Sequence, residues 1–360
     1  MKVVLLAPLP PPSGGIASWA ERMRTAKLKN NWNVIIVDEK VIGGRDIFGA
    51  NTRRSIPTEI IRCFKIWINL WKALNDTEVK IVHSSIPAGF TGMIREIICA
   101  GITKVRKRKF IIHYRCTIPN MVKGKKSLFV FKLLTNISDA SIVLNTPSET
   151  FLKKYSKTRA YLIPNFISAT EMKLGFSNNI KTKEAKKKLK AVYVGGVTKE
   201  KGCLDIIKVA QKNNSIEFRL VGAVAPEIYR SEVPENVVLC GEKDRKGVQK
   251  ELEQADIFVF MSHYYGEGFS NALAEAMAVG LPCVVSDWAA NRDMIEENKG
   301  GFVVPVQDIK GIVNSIKTLA ESEELRHKMG TWNIEKVNQE YLQEKVTSQY
   351  VDIYESLIKG

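Results

Sequence analysis

The 360-residue chain lacks most of the signatures that assign a chemistry at once. Its six cysteines (Cys63, Cys99, Cys116, Cys203, Cys240 and Cys283) are scattered, with no C-x-x-C pair and no cysteine–histidine cluster at zinc spacing. That excludes a zinc module and a disulfide framework, and the cysteines read as small buried apolar residues in a reducing compartment. No run approaches the roughly 20 apolar residues of a spanning helix. The stretch from Val3 to Ala7 ends at the prolines from Pro8 to Pro12, too short for a signal peptide and better read as a first buried strand. There is no G-x-x-x-x-G-K-[ST], no H-E-x-x-H and no D-x-D, and Ser13-Gly14-Gly15-Ile16 lacks the third glycine of a dinucleotide fingerprint. P-loop hydrolysis, zinc proteolysis, nicotinamide chemistry and metal-dependent sugar-nucleotide chemistry all lose support.

Acidic residues are scarce in one half only. Residues 1–170 carry 28 basic and 10 acidic side chains, net +18, whereas residues 171–360 carry 26 and 28, net −2, which together give the chain's +16. A basic half beside a neutral half suggests either an anionic partner for the first, be it nucleic acid, an acidic membrane surface or a phosphorylated substrate, or simply a solubilising, lysine-rich surface.

Strand-length apolar runs alternate with amphipathic stretches through most of the chain, the pattern of parallel sheets covered by helices. The first half offers strands at 2–7, 33–37, 80–83, 109–114, 140–144 and 160–163. After a basic, polar connector at 181–190, the second offers 191–194, 217–221, 237–239, 257–261, 282–286 and 301–304. The expected fold class is therefore α/β: two doubly wound, Rossmann-like domains at 1–168 and 169–338, with ligands bound outside the carboxyl ends of the strands in an interdomain cleft. A closing amphipathic helix at 339–360, with Tyr341, Val346, Tyr350, Ile353, Tyr354 and Leu357 as its apolar positions, is expected to pack back on the first domain.

The most specific stretch runs from Tyr265 to Pro282, Y-G-E-G-F-S-N-A-L-A-E-A-M-A-V-G-L-P. Ser270 is a good N-cap, Asn271 to Val279 is helical in composition, and Gly280 with Pro282 ends the helix. Glu267 lies in the loop before the cap and Glu275 within the helix, so two carboxylates bracket a helix N-terminus whose amides and dipole suit an anion. Such a site can hold phosphates at its amides and sugar hydroxyls at its carboxylates. Gly14 and Gly15, at a strand-to-helix turn, allow close backbone approach to a phosphate or sugar, or simply make the turn.

With these residues the sequence resembles the retaining GT-B glycosyltransferases of family 4 (glycosyl transferases group 1), whose E-x7-E is matched by Glu267 and Glu275. The resemblance extends to Gly14-Gly15, the strand ending Ile111-Ile112-His113, Ile163-Pro164-Asn165, and Tyr193-Val194-Gly195-Gly196 through Lys201-Gly202. It implies catalytic roles for Glu267 at the donor sugar, His113 at the reaction centre and Lys201 on the diphosphate. It also implies that Glu275 binds the ribose, that Gly268, Phe269 and Ser270 present amides to sugar or phosphate, and that Gly15, after Gly14, approaches the phosphates. Gly196 departs from the family, which commonly has arginine there as partner of the lysine; Lys199 or a first-domain residue would have to substitute.

The resemblance implies an enzyme that moves a sugar from a UDP- or GDP-linked donor to a hydroxyl of a lipid-linked or polysaccharide acceptor, with no metal and no cofactor beyond the nucleotide-sugar co-substrate. Cell-surface polysaccharide or glycolipid synthesis is the expected setting. A sugar-nucleotide epimerase on the same fold, and a catalytically weak module binding membrane or nucleic acid, are the alternatives. The lysine and arginine clusters at 104–109, 123–126 and 153–159 suggest a cytoplasmic protein peripheral on an anionic membrane; nucleic acid lacks a recognition module. In the helix at 58–74, Ile61, Phe64, Trp67, Ile68 and Trp71 alternate with Arg62, Lys65 and Lys72, and this stripe is expected to face the sheet rather than lipid. His83 and Ser85 end a strand at a cleft-facing position; His327 and the cysteines read as structural.

Overall fold

A computed structural model describes residues 1–11, 14–40, 55–168 and 188–359. In chain order the first stretch holds β1 (Lys2–Ala7), α1 (Gly15–Thr25), β2 (Asn33–Asp38), α2 (Ile56–Ala73), β3 (Val79–Ile86), α3 (Phe90–Val105), β4 (Lys109–Tyr114), α4 (Ile118–Met121), α5 (Gly124–Ile137), β5 (Ala140–Val143), α6 (Thr146–Tyr155) and β6 (Ala160–Leu162). The second holds β7 (Leu189–Val194), α7 (Cys203–Ala210), β8 (Ile216–Val221), α8 (Pro226–Tyr229), β9 (Val237–Gly241), α9 (Arg245–Glu253), β10 (Ile257–Phe260), α10 (Asn271–Ala278), β11 (Cys283–Ser286), α11 (Asn291–Met294), β12 (Gly301–Val304), α12 (Ile309–Glu321) and α13 (Glu323–Lys336), and α14 (Gln343–Lys359) closes the chain. The chain divides into two units, Met1–Phe166 with Gln343–Gly360, and Ile167–Leu342. Most of the expected 181–190 connector lies outside the described residues.

The first unit is a parallel sheet in the order β2-β1-β3-β4-β5-β6. Side chains alternate across a strand, and the two resulting cores are distinct. Val4 and Leu6 of β1 and Phe110, Ile112 and Tyr114 of β4 pack with Ile66 and Leu70 of α2, Met93 and Cys99 of α3, Phe131 of α5 and Leu152 of α6. Val3 and Leu5 of β1 and Ile111 of β4 pack instead with Trp19 and Met23 of α1 and with Val346, Tyr350 and Tyr354 of α14. Burial on both faces is what makes these strands read as continuous apolar runs.

Two expectations shift. The sheet-facing residues of α2 are Ile66 and Leu70, with Trp67 half-buried, whereas Ile61, Phe64, Ile68 and Trp71 are 44–56% exposed. The helix carries two apolar stripes, and periodicity alone does not say which one the sheet takes. The closing helix begins at Gln343, after a π turn over Val337–Tyr341, so Tyr341 belongs to the second unit, where it meets Phe269 edge-on.

The second unit is also a parallel sheet, ordered β12-β11-β10-β7-β8-β9. Its inner strands β10 and β11 are fully buried. Both sheets thus present the carboxyl ends of their strands as ready sites for loops that bind ligands.

Candidate active site

In the second unit the turn after β7 must come close to the loop after β10, and glycine permits it. Gly202 has φ +75°, and a Cβ there would lie 2.1 Å from the Met261 carbonyl oxygen. The approach is fastened by the His263 amide donating to the Glu200 carbonyl at 2.9 Å. Lys201 is thereby held beside the β10 loop, and its Nζ donates to Glu267 Oε2 at 2.5 Å. The same oxygen accepts from Ser262 Oγ at 3.1 Å, and the Lys201 ammonium lies 4.9 Å from the Tyr264 ring centroid. The lysine is a quarter exposed and the glutamate a tenth, so the pair opens to a ligand from one side.

A layer behind this pair braces the loop. Ser286 Oγ donates to the Ser262 carbonyl at 2.6 Å, Asn291 Nδ2 to the Ser286 carbonyl at 2.9 Å, and Trp288 Nε1 to the Tyr264 carbonyl at 2.8 Å. Sequence reading missed Ser262, Tyr264, Ser286 and Trp288, which carry no motif of their own. Their positions just past β10 and at or just past the end of β11 were the available signal.

The helix start is built as its composition suggests. Ser270 Oγ accepts from the Leu273 amide at 3.2 Å, which begins α10. Gly268, Phe269 and Ser270 are buried, and Glu275 is half-buried on α10. At Gly196 the carbonyl accepts from Tyr193 Oη at 2.8 Å. Its backbone needs no glycine: a Cβ would meet only Thr198 Cγ2, at 3.8 Å.

The first unit places the other expected residues. Gly14 is the N-cap of α1 in extended conformation, and open space surrounds the Cβ positions of both Gly14 and Gly15. They line a cavity of about 740 Å³ at the carboxyl ends of β1 and β3, which Ser85 also lines. His113 differs from the expectation of an open reaction-centre residue. Its ring is fully buried, with Nδ1 3.0 Å from His83 Nε2 and Nε2 3.2 Å from Arg115. His83 is equally buried and bonds Tyr354 Oη through Nδ1 at 2.7 Å. Burial, reinforced by the Arg115 charge, holds the His83 ring down to about 3 and the His113 ring well below the usual imidazole range. Both histidines are core groups of this sheet.

Residues 177–336 match the family described as Glycosyl transferases group 1. The chain carries a glycosyl transferases group 1 domain. The matched residues include Lys201, Glu267, Ser270 and Glu275.

Among curated relatives of the group 1 domain, N-acetyl-alpha-D-glucosaminyl L-malate synthase of Bacillus anthracis is 29% identical over 127 residues, 35% of this chain and 32% of that protein. The capsular polysaccharide biosynthesis glycosyltransferase CapM of Staphylococcus aureus is 23% identical over 179 residues, 46% of each. The alignments thus span less than half the length of either relative. The whole chain resembles Anabaena HepE, solved in complex with UDP, at a TM-score of 0.74 and 14% identity over 99% of this chain and 100% of that one. At that identity the likeness establishes the fold, GT-B.

Proposed function

We propose that the protein is a retaining glycosyltransferase of family 4 that moves a sugar from a nucleoside-diphosphate donor to an acceptor hydroxyl in cell-surface polysaccharide or glycolipid synthesis. The observation that carries the reading is the Lys201–Glu267 contact at 2.5 Å, beside a helix start capped by Ser270. An ammonium, a carboxylate and helix amides in one loop suit a ligand that is both anionic and hydroxylated. Structures of HepE with UDP and with UDP-glucose favour a UDP-linked donor over a GDP-linked one.

In this reading Lys201 neutralises the diphosphate, the Gly268–Ser270 amides hold sugar or phosphate, and Glu275 takes the ribose hydroxyls. Glu267, released from the lysine as the diphosphate competes for it, orients the donor sugar. The bond from the anomeric carbon to the phosphate oxygen breaks and a bond to the acceptor oxygen forms on the same face. The acceptor's proton leaves with the nucleoside diphosphate. Stabilising that leaving group is the dominant electrostatic task, and Lys201 with the helix N-terminus supplies it without a metal ion. Gly14 and Gly15 leave room in the first unit for a ligand to approach the backbone closely, and His113 acts as a brace for Arg115 rather than on substrate.

For location we propose a cytoplasmic protein resting on an anionic membrane. Among the described residues no helix is long and apolar enough to cross one. The support is the exposed stripe of α2 together with the net +18 of residues 1–170.

Thermal unfolding with UDP, GDP, ADP and their sugars tests the donor assignment, because a ligand that binds the native state raises Tm. UDP or UDP-sugar should stabilise the protein. Glu267→Ala should abolish transfer while leaving the fold intact, and full activity in that variant would overturn the reading.

A further inference from the structure

The cavity of the first unit is lined by several charged groups, and most of them answer one another. Arg95 donates from Nε to Glu96 Oε1 at 2.7 Å and from a terminal nitrogen to Glu39 Oε2 at 2.9 Å. Arg62 donates to Glu59 Oε2 at 3.1 and 2.7 Å and to the Glu39 carbonyl at 2.7 Å. Glu96 also accepts from Ser84 Oγ at 2.6 Å. Glu39 hydrogen-bonds Glu96, and a bond between two carboxyls needs a proton on one of them. Burial, joined by the charge and hydrogen bond of Glu96, pushes the Glu39 carboxyl well above its usual range against the pull of Arg95. The two acids that line the cavity, Glu39 and Glu59, therefore present no unpaired negative charge to it.

What remains unanswered is a set of donors. Ser85 is 1% exposed and lines the cavity, and its Oγ has no hydrogen-bond partner; the indole Nε1 of Trp67, which lines it too, has none either. An indole N–H can only donate. Helix α3 starts at the same wall: Gly89, Thr91 and Gly92 line it, Gly89 as N-cap gives the first-turn amides no side chain, and the first turn holds no acid. Helix α1 starts there in the same way, at Gly14 and Gly15. The Lys40 ammonium, more than half exposed on the lining, lies 3.9 Å from Asp38 Oδ2, a loose pairing. Buried polar atoms are almost always satisfied, so orphaned donors beside two uncapped helix starts point to a ligand that accepts and carries negative charge.

We propose that the α3 end of this cavity binds a phosphate group carried by the acceptor, held by Ser85 Oγ and the first amides of α3, with the Trp67 indole and Lys40 as further donors. The inference rests on the glycosyl-transfer reading and deepens it by giving the acceptor a negative charge. Ser85 and the N-cap Gly89 are four residues apart in one strand-to-helix turn, so their donors belong to one corner of the cavity. A neutral polyol could accept from the same groups, but it would leave two helix dipoles and Lys40 without a counter-charge. In the transfer reading the donor's diphosphate already has a cation and a helix start at Lys201 and α10, so the cavity holds a second anion.

The test is titration calorimetry on the full chain with sn-glycerol 3-phosphate, glycerol and inorganic phosphate, each with and without saturating UDP. The ester should bind at least about tenfold more tightly than glycerol, the scale of a charge-assisted contact, and should keep that affinity when UDP is bound. It should also bind more tightly than inorganic phosphate, which lacks the hydroxylated remainder. Ser85→Ala should weaken the ester several-fold. Thr91→Asp, at an exposed position in the first turn of α3, places a carboxylate where the phosphate would sit. It should erase the preference over glycerol without lowering Tm, since an acid suits a helix start. Asn69→Asp, exposed on α2 and outside the lining, makes the same charge change and should keep the preference. Equal affinity for ester and glycerol overturns the proposal, as does full ester affinity in both Ser85→Ala and Thr91→Asp, or a preference lost in Asn69→Asp. Ester binding abolished by UDP would make the anion the donor's own, and inorganic phosphate bound as tightly as the ester would leave an ion site without an acceptor; either result overturns it too. If UDP raises Tm in no condition, the transfer reading fails while the comparison without UDP still decides the cavity.

Discussion

Arg115 donates to Nε2 of His113 at 3.2 Å, and this contact fixes the proton positions of two buried histidines. A guanidinium can only donate, so His113 Nε2 must accept and its proton sits on Nδ1. Nδ1–H then donates to His83 Nε2, which places the His83 proton on its own Nδ1, facing Tyr354 Oη. The relay runs from Arg115, stacked 4.6 Å from the Trp19 ring, to the closing helix. It works only while both rings are neutral.

Acid should therefore destabilise the first unit. The folded-state pKa of each ring lies below the value of about 6.5 in an unfolded chain, so unfolding takes up protons as pH falls. The contribution is complete above pH 6.5 and declines as pH falls below it, for His83 down to about pH 3, by about 1.4 kcal/mol per histidine for each pH unit. Glu39, pushed well above its usual range by burial, pulls the other way, but it does so equally in the unmodified protein and in the histidine variant and cancels from their comparison. Urea unfolding between pH 7.5 and 5 should thus show a steeper loss in the unmodified protein than in His83→Gln/His113→Gln. Parallel slopes would refute the neutral relay.

Gly202→Ala should be among the most damaging single-methyl changes in the second unit. The left-handed φ of +75° strains any other residue, and the added Cβ would collide with the Met261 carbonyl. A loss of roughly 2–4 kcal/mol is expected, as for other overpacked and conformationally strained sites. Chemical denaturation measures it, and Gly196→Ala, where a Cβ meets only Thr198 at 3.8 Å, is the mild comparison.

The contrast between those glycines also marks what was legible in the chain. The twelve strands among the described residues could be placed because the inner ones, buried on both faces, are continuous apolar runs, and the less buried β2, β6 and β9 still carry short apolar runs between turn residues; Glu267, Lys201 and Ser270 could be placed because the motif fixes them on a loop and a helix start. What the one-dimensional pattern could not rank was the two stripes of α2. It also could not rank His113, whose place at a strand end fits a site residue and a core residue alike. Ser262, Tyr264 and Trp288 were out of reach, since their contacts come from loops after β10 and β11 meeting in space.

The Lys201–Glu267 pair should separate binding from turnover. Lys201→Met removes the cation from the diphosphate and leaves Glu267 with Ser262, so nucleotide affinity should fall about 10- to 100-fold, the scale of one lost charge-assisted hydrogen bond. Glu267→Gln keeps the shape and a partner for Ser262, and should bind UDP at near-normal strength while losing transfer. Calorimetry with UDP against a turnover assay separates the two. A Glu267→Gln enzyme with normal turnover would remove the glutamate from the mechanism.

Gly196→Arg should be a gain. The resemblance puts an arginine here, and the backbone permits one, because the φ is ordinary and only Thr198 Cγ2 is near. The carbonyl that accepts from Tyr193 Oη belongs to the main chain, so the turn keeps its brace in the variant. A second cation near Lys201 adds attraction for a diphosphate, and UDP affinity should rise about tenfold, roughly 1.4 kcal/mol. Salt should weaken the variant's UDP binding more steeply than the unmodified protein's, because the added contact is one of charge. If UDP affinity is unchanged while the variant unfolds normally, the arginine's task is already met by another residue. Lys199→Ala in the unmodified protein then asks whether that residue is Lys199: an affinity loss of similar size would assign it the role, and no loss would place the second cation elsewhere.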